Sequence, residues 1–236
     1  MGSKTMYEKT ADMYDYRHQS PTTKLMRKKE KAFLKHISGL VLDVGCGTGY
    51  HLSFFPEIIG IDISKSMLKH AKKRKKPLVI CSGEKLAFKD KTFDGIVCFS
   101  VLNFCNAEKT VKEISRVIKD NGMVLVSVAS VYDKNYSYKE KKSLKIDKYH
   151  KVKKFYVCRE KARMKLFTKK DFVELFEKNG FMLKEFDSLF VRVKPKWNSF
   201  VGFSFIEKLL LALERVFDKK YGCVYFGLFE KAPGSQ

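Results

Sequence analysis

The sequence lacks an apolar segment that could export the chain or anchor it in a bilayer. Its first thirty residues contain no apolar run of signal-peptide length, and no charge-free stretch among the 236 residues is long enough to span a membrane. We therefore expect a cytoplasmic protein without a transmembrane segment. The length and the 44% of apolar residues predict one enzyme domain with a substantial core.

Acidic residues are scarce relative to basic ones. The chain has 26 Asp and Glu residues against 48 Lys and Arg residues, and lysine rather than a compact arginine motif produces the net charge of +22. A positive electrostatic field can hold RNA phosphates, attract an anionic membrane surface or concentrate an anionic small substrate. It can equally reflect a lysine-rich composition whose charge runs face solvent. Composition therefore leaves RNA contact and peripheral membrane contact open.

Metal-ligand spacing is absent as well. The six cysteines show no paired spacing of the kind that holds a metal ion, and His51 and His150 have no partner pattern for metal binding. We predict reduced, largely buried thiols and no metal site.

The most informative segment joins an apolar strand to a glycine-rich turn and reads Val41-Leu42-Asp43-Val44-Gly45-Cys46-Gly47-Thr48-Gly49. Position 50 is Tyr50, so the third glycine of the dinucleotide pattern G-x-G-x-x-G is missing. The carboxylate of Asp43 would repel a pyrophosphate, whereas it would form a charge-assisted hydrogen bond with an ammonium group. A second apolar run ends at Asp62, where a carboxylate can accept both hydroxyls of a ribose.

These motifs, together with the segments Ser82–Phe88 and Phe93–Cys98, resemble those of class I S-adenosylmethionine (SAM)-dependent methyltransferases, in particular the subfamily of ubiquinone and menaquinone C-methyltransferases. The resemblance extends from about Tyr7 to Gly180. It implies SAM as the cofactor and S-adenosylhomocysteine as its product. The cofactor-binding residues that it implies are Asp43, Gly45, Cys46, Gly47, Asp62, Ile63, Met67, Ser82, Gly83 and Ser100.

The resemblance assigns these residues to parts of the cofactor. Asp43 and the glycines face the methionine portion, Asp62 the ribose, and Ile63 and Met67 the adenine. The family usually has an acid at the position of Ser82, where it accepts from the adenine amino group. We therefore expect that contact to be weaker here, or to be made by the hydroxyl.

Strands and helices alternate along the chain, which predicts a doubly wound parallel sheet. By resemblance it is a seven-stranded Rossmann-like sheet with an antiparallel last strand, within a single domain over residues 1–236. The expected additions are an N-terminal cap over residues 1–38 and substrate-side insertions at about 131–167 and 194–220. Predicted strands lie near Leu40–Val44, Ile58–Ile63, Leu78–Cys81, Phe93–Phe99, Met123–Ser130, Phe181–Val193 and Tyr221–Lys231, with helices near Thr23–Ile37, Val111–Ile118 and Lys169–Asn179.

Catalysis in this class depends mainly on positioning, because the methyl donor is already activated. Tyr14, His18 and Asn103 are the candidate catalytic residues. The chain contains no Asn-Pro-Pro-Tyr, Asp-Pro-Pro-Tyr or Pro-Cys motif, which disfavours amino methylation of bases and cytosine C5 methylation.

The acceptor is expected to be a small molecule, hydrophobic or lipid-like, because the 194–220 insertion includes an apolar helix near Phe200–Phe217. One alternative is a tRNA methyltransferase, favoured by the lysine- and tyrosine-rich first insertion. Others are a protein methyltransferase acting with a small activating subunit, and a non-catalytic SAM-binding module.

Overall fold

The computed structural model describes residues 7–8, 11–12, 14–15, 21–132, 155–157, 163–189 and 221–234. The strands are β1 (Val41–Val44), β2 (Ile58–Asp62), β3 (Leu78–Ile80), β4 (Phe93–Phe99), β5 (Ile118–Ala129), β6 (Phe155–Val157), β7 (Arg163–Lys165), β8 (Phe181–Leu189) and β9 (Val224–Lys231). The α-helices are α1 (Pro21–Leu34), α2 (Lys65–Ala71), α3 (Ala107–Val117) and α4 (Lys169–Glu177), and 3-10 turns cover His51–Phe54 and Lys72–Arg74.

Seven of the strands form one sheet in the order β3-β2-β1-β4-β5-β9-β8. The pairs from β3 through β5 are parallel, and β9 is antiparallel to both β5 and β8. The predicted seven-stranded sheet with an antiparallel last strand is confirmed. The last two strands, β8 and β9, pair antiparallel with each other at one end of the sheet, and β8 is the edge strand.

Helices cover both faces of this sheet. Leu25 and Phe33 of α1 and Leu68 of α2 share one apolar cluster with Val41 of β1. On the other face, Leu42 of β1 packs in a cluster with apolar residues of α3 and α4. Because successive side chains of a strand point to opposite faces, Asp43 lies on the same face as Val41, beneath α1.

The helix starts follow from local capping. The side chains of Ser64, Asn106 and Thr168 accept backbone N–H groups in the first turns of α2, α3 and α4. The helix predicted over Val111–Ile118 corresponds to α3, which begins earlier, at Ala107. It ends at Val117 because β5 begins with Ile118.

The strand β5 begins five residues before the predicted Met123. Asn121, in an Asn-Gly dipeptide of the kind that typically ends a helix, has a φ of 62°. The positive φ interrupts regular pairing with β4, whose register shifts between Phe93 and Gly95. The turn residues thus form an irregularity inside an extended segment, whereas the sequence pattern predicted a loop before the strand.

The described part of the first insertion forms a small two-stranded sheet in which β6 is antiparallel to β7. Met164 and Leu166 pack with Ala129 at the end of β5, against Phe104. The second insertion, with its predicted apolar helix near Phe200–Phe217, lies outside the described residues. No helix among the described segments combines the length and apolar character required to cross a membrane.

Candidate active site

A pocket opens at the carboxyl ends of β1, β2 and β4, the edge at which open α/β sheets bind their ligands. It encloses about 760 Å³, including space open to solvent. Its floor comes from residues that end these three strands, namely Val44, Gly45, Asp62, Ile63, Phe99 and Ser100. The sheet therefore brings the two predicted motifs, from positions 43–49 and 58–64, to one site.

The glycine turn forms one wall of this pocket. Gly45 and Gly47 have φ values of 72° and 54°, a region that side chains with a Cβ rarely adopt. A Cβ on Gly45 would also overlap the side chain of Val101. The backbone can therefore come close to a ligand at this turn.

Asp62 ties the second strand to the glycine turn. Its Oδ2 accepts the Gly47 N–H at 2.9 Å, and its Oδ1 accepts the Ser64 N–H at 2.8 Å. Burial raises the pKa of Asp62, and these two backbone donors partly offset that rise. Because Asp62 also lines the pocket, each oxygen keeps a lone pair that can accept a ligand hydroxyl.

Asp43 lies behind the glycine turn and is 1% exposed. Its Oδ2 is buried and has no hydrogen-bond partner among the residues that the structure describes. Burial raises the pKa of Asp43 to about 7, and a charge on His51 acts in the opposite direction. Asp43 itself does not line the pocket, whereas Val44 and Gly45 directly after it do. Its buried, unsatisfied carboxylate oxygen is nevertheless a place for a cationic donor.

The side of the pocket predicted to face adenine contains Ile63, Met67, Ser82 and Gly83. Ile63 is 38% exposed, whereas Met67 is buried. The Ser82 hydroxyl oxygen accepts the Glu84 N–H at 3.2 Å. The hydroxyl hydrogen of Ser82 and the Gly83 backbone are thus the polar groups at the position where the family has an acid.

The N-terminal segment covers the pocket. Tyr7 and Tyr14 both line it, and their rings lie 6.3 Å apart in an edge-to-face arrangement. Tyr7 also makes an edge-to-face contact with Phe104 at 5.9 Å. These three rings give one side of the pocket an aromatic surface.

Several carboxylates attach that segment to the body of the protein. Asp15 accepts a hydrogen bond from the Thr48 hydroxyl at 2.6 Å and lies 3.0 Å from the Lys73 ammonium. Glu8 accepts the backbone N–H groups of Lys65 and Ser66 at the start of α2. Sequence reasoning missed these attachments because the partners are 33 to 58 residues apart and no local pattern predicts them.

Asn103 has a different place from the one expected of a catalytic residue. It is 2% exposed, and its amide donates to the carbonyls of Ala129 and Lys165 at 3.1 and 2.6 Å and accepts the Ala129 N–H at 2.9 Å. Asn103 is not among the pocket-lining residues. This geometry makes it a structural link between β5 and β7 and does not support the predicted orienting role.

The remaining predicted residues are distributed as follows. Tyr14 and Ser100 line the pocket, and His18 lies outside the described residues. The Cys46 side chain lies under the turn instead of facing the pocket, where its Sγ approaches Gly60. Its backbone N–H donates to Ile61 at 2.8 Å, so Cys46 holds the turn against β2.

The thiols near the site are poor nucleophiles. Burial raises the pKa of Cys105, which lines the pocket, to about 11. Burial also raises the pKa of Cys46. Both thiols therefore stay protonated at neutral pH. Among the described residues, no group of three or more His, Cys, Asp or Glu side chains is placed to hold a metal ion.

Comparisons with known proteins identify the family. The Methyltransf_11 family model, described as a methyltransferase domain, matches residues 42–126. The uncharacterized protein MJ1123 of Methanocaldococcus jannaschii is 34% identical over 165 residues, which cover 67% of this chain and 78% of that protein. The matched domain, within a seven-stranded sheet of this topology, makes the chain a class I SAM-dependent methyltransferase. SAM is the cofactor of this family, and membership of the ubiquinone and menaquinone subfamily stays a prediction.

Other relatives match a smaller share of their own length. MJ1252 of the same archaeon is 42% identical over 138 residues, 56% of this methyltransferase and 54% of that protein. The matched region thus spans about half of that relative. The tRNA (carboxymethyluridine(34)-5-O)-methyltransferase of Arabidopsis thaliana is 29% identical over 119 residues, 47% of this chain and 30% of that enzyme.

Solved structures share the fold of this methyltransferase. A Haloferax volcanii chain from a complex with the Trm112 methyltransferase activator superposes with a TM-score of 0.64 at 17% identity, covering 98% of this chain and 96% of that one. The 1,6-didemethyltoxoflavin-N1-methyltransferase of Burkholderia thailandensis, with bound S-adenosylhomocysteine, superposes with a TM-score of 0.62 at 15% identity. The match covers 97% of this chain and 87% of that one.

Proposed function

We propose that this methyltransferase binds SAM in the pocket at the ends of β1, β2 and β4 and transfers its methyl group to a small, hydrophobic or lipid-like acceptor. The observation that carries the cofactor assignment is the unpaired, buried Oδ2 of Asp43 behind the glycine turn. SAM supplies an ammonium group that suits this oxygen, and a sulfonium that activates the methyl group toward displacement.

The residues of the chain fit the other parts of the cofactor. In this proposal Asp62 accepts the ribose hydroxyls while its bonds to Gly47 and Ser64 hold its carboxylate in place. Ile63 and Met67 provide apolar contacts for the adenine, and Gly83 provides a backbone N–H beside it. The main contribution of these residues to catalysis is orientation, since an in-line displacement needs a fixed donor and acceptor.

The acceptor side of the proposal is based on the aromatic surface formed by Tyr7, Tyr14 and Phe104. Met164 and Leu166 pack behind Phe104, so the wall is apolar beyond its first layer. Such a wall favours an apolar or planar acceptor and excludes water from the displacement. Tyr14 lines the pocket beside this wall, and we keep it as a candidate catalytic residue.

Product analysis with labelled SAM tests this proposal. The protein is incubated with methyl-labelled SAM and, separately, with a lipid and quinone extract or with total tRNA, and the labelled product is separated by phase. We expect label in the organic phase.

From the sequence we also expect that Phe203→Ser or Phe205→Ser raises the acceptor KM and leaves SAM affinity unchanged. Label in the organic phase that persists with Asp43→Ala would contradict the cofactor site.

A tRNA acceptor is the second candidate. It is supported by the net charge of +22 and by the relative from Arabidopsis thaliana, a tRNA methyltransferase. If tRNA is the acceptor, its affinity should fall steeply between about 50 and 200 mM salt, because each phosphate contact releases counterions. Label in the tRNA fraction together with that salt dependence would replace the small-molecule proposal.

The Haloferax volcanii structure supports a second arrangement, in which a small activating subunit assists methyl transfer, because that chain was solved with an activator. The test is whether methyl transfer by the purified chain increases when a Trm112-type protein is added. An increase would also keep the protein-methyltransferase alternative open, with the acceptor then sought among proteins.

A further inference from the structure

The charge of the helices is divided unequally between the two faces of the sheet. On one face, α1, α2 and the 3-10 turn Lys72–Arg74 carry ten Lys and Arg residues and a single acid, the buried Glu30. On the other face, α3 and α4 carry five Lys and Arg residues and five Asp and Glu residues. A general surplus of lysine would raise the positive charge of both faces, so this difference marks the outer surface of α1, α2 and the turn after α2, which we call the basic face.

Lysines form a row along the outside of α1. Four exposed lysines follow one another by four, three and four residues, at Lys24, Lys28, Lys31 and, directly after the helix, Lys35. This spacing places side chains on one side of a helix. Lys69 of α2 and Lys72 of the following turn are exposed as well. Because the apolar sides of α1 and α2 pack in one cluster on the sheet, both groups of lysines point away from it.

Acids of the N-terminal segment offset part of this charge. Asp15 lies 3.0 Å from the Lys73 ammonium, and Asp12 lies 2.9 Å from Nε2 of His70. Both contacts involve α2 and the turn that follows it. The basic face therefore keeps a large positive excess, which is concentrated along α1.

Charges on the opposite face are paired with one another. In α3, Arg116 lies 2.8 Å from Glu113, and in α4 Lys170 lies 3.6 Å from Glu174. Opposite charges at these distances cancel each other's field a short way from the surface, whereas lysines of one sign produce an extended positive potential. The basic face is thus the side of the described structure that attracts an extended anionic partner.

The side chains of the basic face suit a diffuse anionic surface better than a nucleic acid. Eight of the ten cations are lysines, which lack the planar fork by which arginine binds a phosphate. Both arginines are engaged with the body of the protein, since Arg27 stacks on the Tyr50 ring at 3.8 Å and the Nε of Arg74 is buried. The exposed aromatic side chains of the described residues, Tyr132 and Tyr221, belong to neither helix, so these helices offer no ring on which a base could stack.

We propose that the basic face binds the surface of an anionic lipid bilayer. Ammonium groups are attracted to anionic headgroups without a fixed geometry, and the attraction of several lysines adds up. No large apolar side chain is exposed on the described parts of α1 and α2, so the contact is electrostatic and does not require insertion. The choice of a bilayer rests in part on the proposed function, because a lipid-like acceptor would be held at the same surface.

Co-sedimentation of the full chain with lipid vesicles tests the proposal. Vesicles that contain phosphatidylglycerol are compared with vesicles of phosphatidylcholine alone, at about 0.15 M salt. We expect the wild type to bind the anionic vesicles only. The triple variant Lys35→Gln/Lys69→Gln/Lys72→Gln should bind them about fivefold more weakly for each lysine removed, or about a hundredfold in all. Wild-type binding that is absent, or equal for both kinds of vesicle, would overturn the inference.

A matched variant separates the basic face from the net charge. Lys109→Gln/Lys112→Gln/Lys178→Gln removes three exposed lysines from α3 and the end of α4 and leaves the same net charge. It should bind anionic vesicles within about twofold of the wild type, since these charges lie on the far side of the sheet and are screened by salt. Calorimetry with S-adenosylhomocysteine should give the wild-type Kd for both triple variants, which shows that they are folded. Equal loss of vesicle binding in both, or no loss in the first, would contradict the proposal.

Transfer RNA provides the competing outcome. If the wild type binds tRNA and not anionic vesicles, and Lys35→Gln/Lys69→Gln/Lys72→Gln loses the tRNA, the basic face binds nucleic acid and the bilayer proposal fails. Vesicle binding is measured without SAM, so its failure is distinct from failure of the proposed function. Label in the organic phase without vesicle binding would overturn the basic face alone, whereas vesicle binding without label in that phase would overturn the lipid-like acceptor alone.

Discussion

Glu8 lies over the first turn of α2, where its carboxylate accepts the backbone N–H of Ser66 at 3.2 Å. Asp15 reaches Lys73 at 3.0 Å, and both pairs join residues 58 positions apart. Glu8 and Asp15 therefore run in the same direction as α2 and the 3-10 turn that follows it. This register places the two tyrosines of the segment over the pocket.

Removing the first of these attachments should loosen the cover over the cofactor. Hydrogen bonds from Ser66 and Lys65 hold the pKa of Glu8 below its usual range, so it is anionic at neutral pH where the N-terminus of α2 favours a negative charge. We expect Glu8→Ala to raise the Kd for S-adenosylhomocysteine severalfold and to speed proteolysis of the N-terminal segment. Calorimetry and limited trypsin digestion measure the two effects. Glu57→Ala, at an exposed carboxylate before β2, is the control and should change neither.

The buried charge of Asp43 should make the ligand-free protein less stable at neutral and alkaline pH. Burial raises the pKa of Asp43 from 3.8 to about 7, so the folded protein keeps a proton that the unfolded chain has lost. The contribution of this group to the free energy of unfolding therefore decreases as pH rises from about 4 to 7. Asp43→Asn should stabilise the ligand-free protein at pH 8, on the order of 2 to 4 kcal/mol, and should weaken SAM binding.

Thermal melts of both proteins at pH 5 and pH 8 check this expectation. The difference in Tm between variant and wild type should be larger at pH 8. A variant less stable than wild type at pH 8 would show that Asp43 is not a destabilising charge.

Ser82→Asp should maintain or improve SAM affinity. The substitution restores the acid that the family usually has at this position, and the Glu84 N–H that now donates to the Ser82 hydroxyl at 3.2 Å can donate to the new carboxylate. Calorimetry with S-adenosylhomocysteine and with its inosine counterpart, which lacks the adenine amino group, measures the change. Loss of binding in a folded variant would mean that this loop is misaligned with the family.

Asn103→Ala should cost stability without changing cofactor affinity. The substitution leaves buried backbone groups of Ala129 and Lys165 without their partner, which typically costs about 1 to 3 kcal/mol. Denaturant unfolding and SAM calorimetry on the same samples separate the two effects. Normal stability together with a loss of methyl transfer would restore Asn103 as a catalytic candidate.

The sequence predicted the parts of the site that are set by short-range patterns. Asp43 and Asp62 end apolar strands, and parallel strands bring their carboxyl ends to one edge, so the position of both acids followed from local reasoning. The start of α3 at Ala107 could also have been predicted, because Asn106 is a strong capping residue.

Other parts depend on contacts between distant segments. Glu30 and His51 meet only because α1 packs against the face of β1 that carries Asp43, and no spacing in the sequence predicts that meeting. The polar side chain of Asn103 would suit a catalytic residue, but the tertiary structure places it against β5 and β7.

Lysines flank the edge strand β3, where they can act on contacts between copies of the chain. This strand has three residues, and Ile80, at 55% exposure, presents an apolar side chain at the sheet border. Lys75 and Lys76 precede the strand and Lys85 follows it. Two copies approaching through this border would bring like charges together before any backbone pairing formed. Lys75, Lys76 and Lys85 therefore disfavour edge-to-edge pairing of two copies through β3.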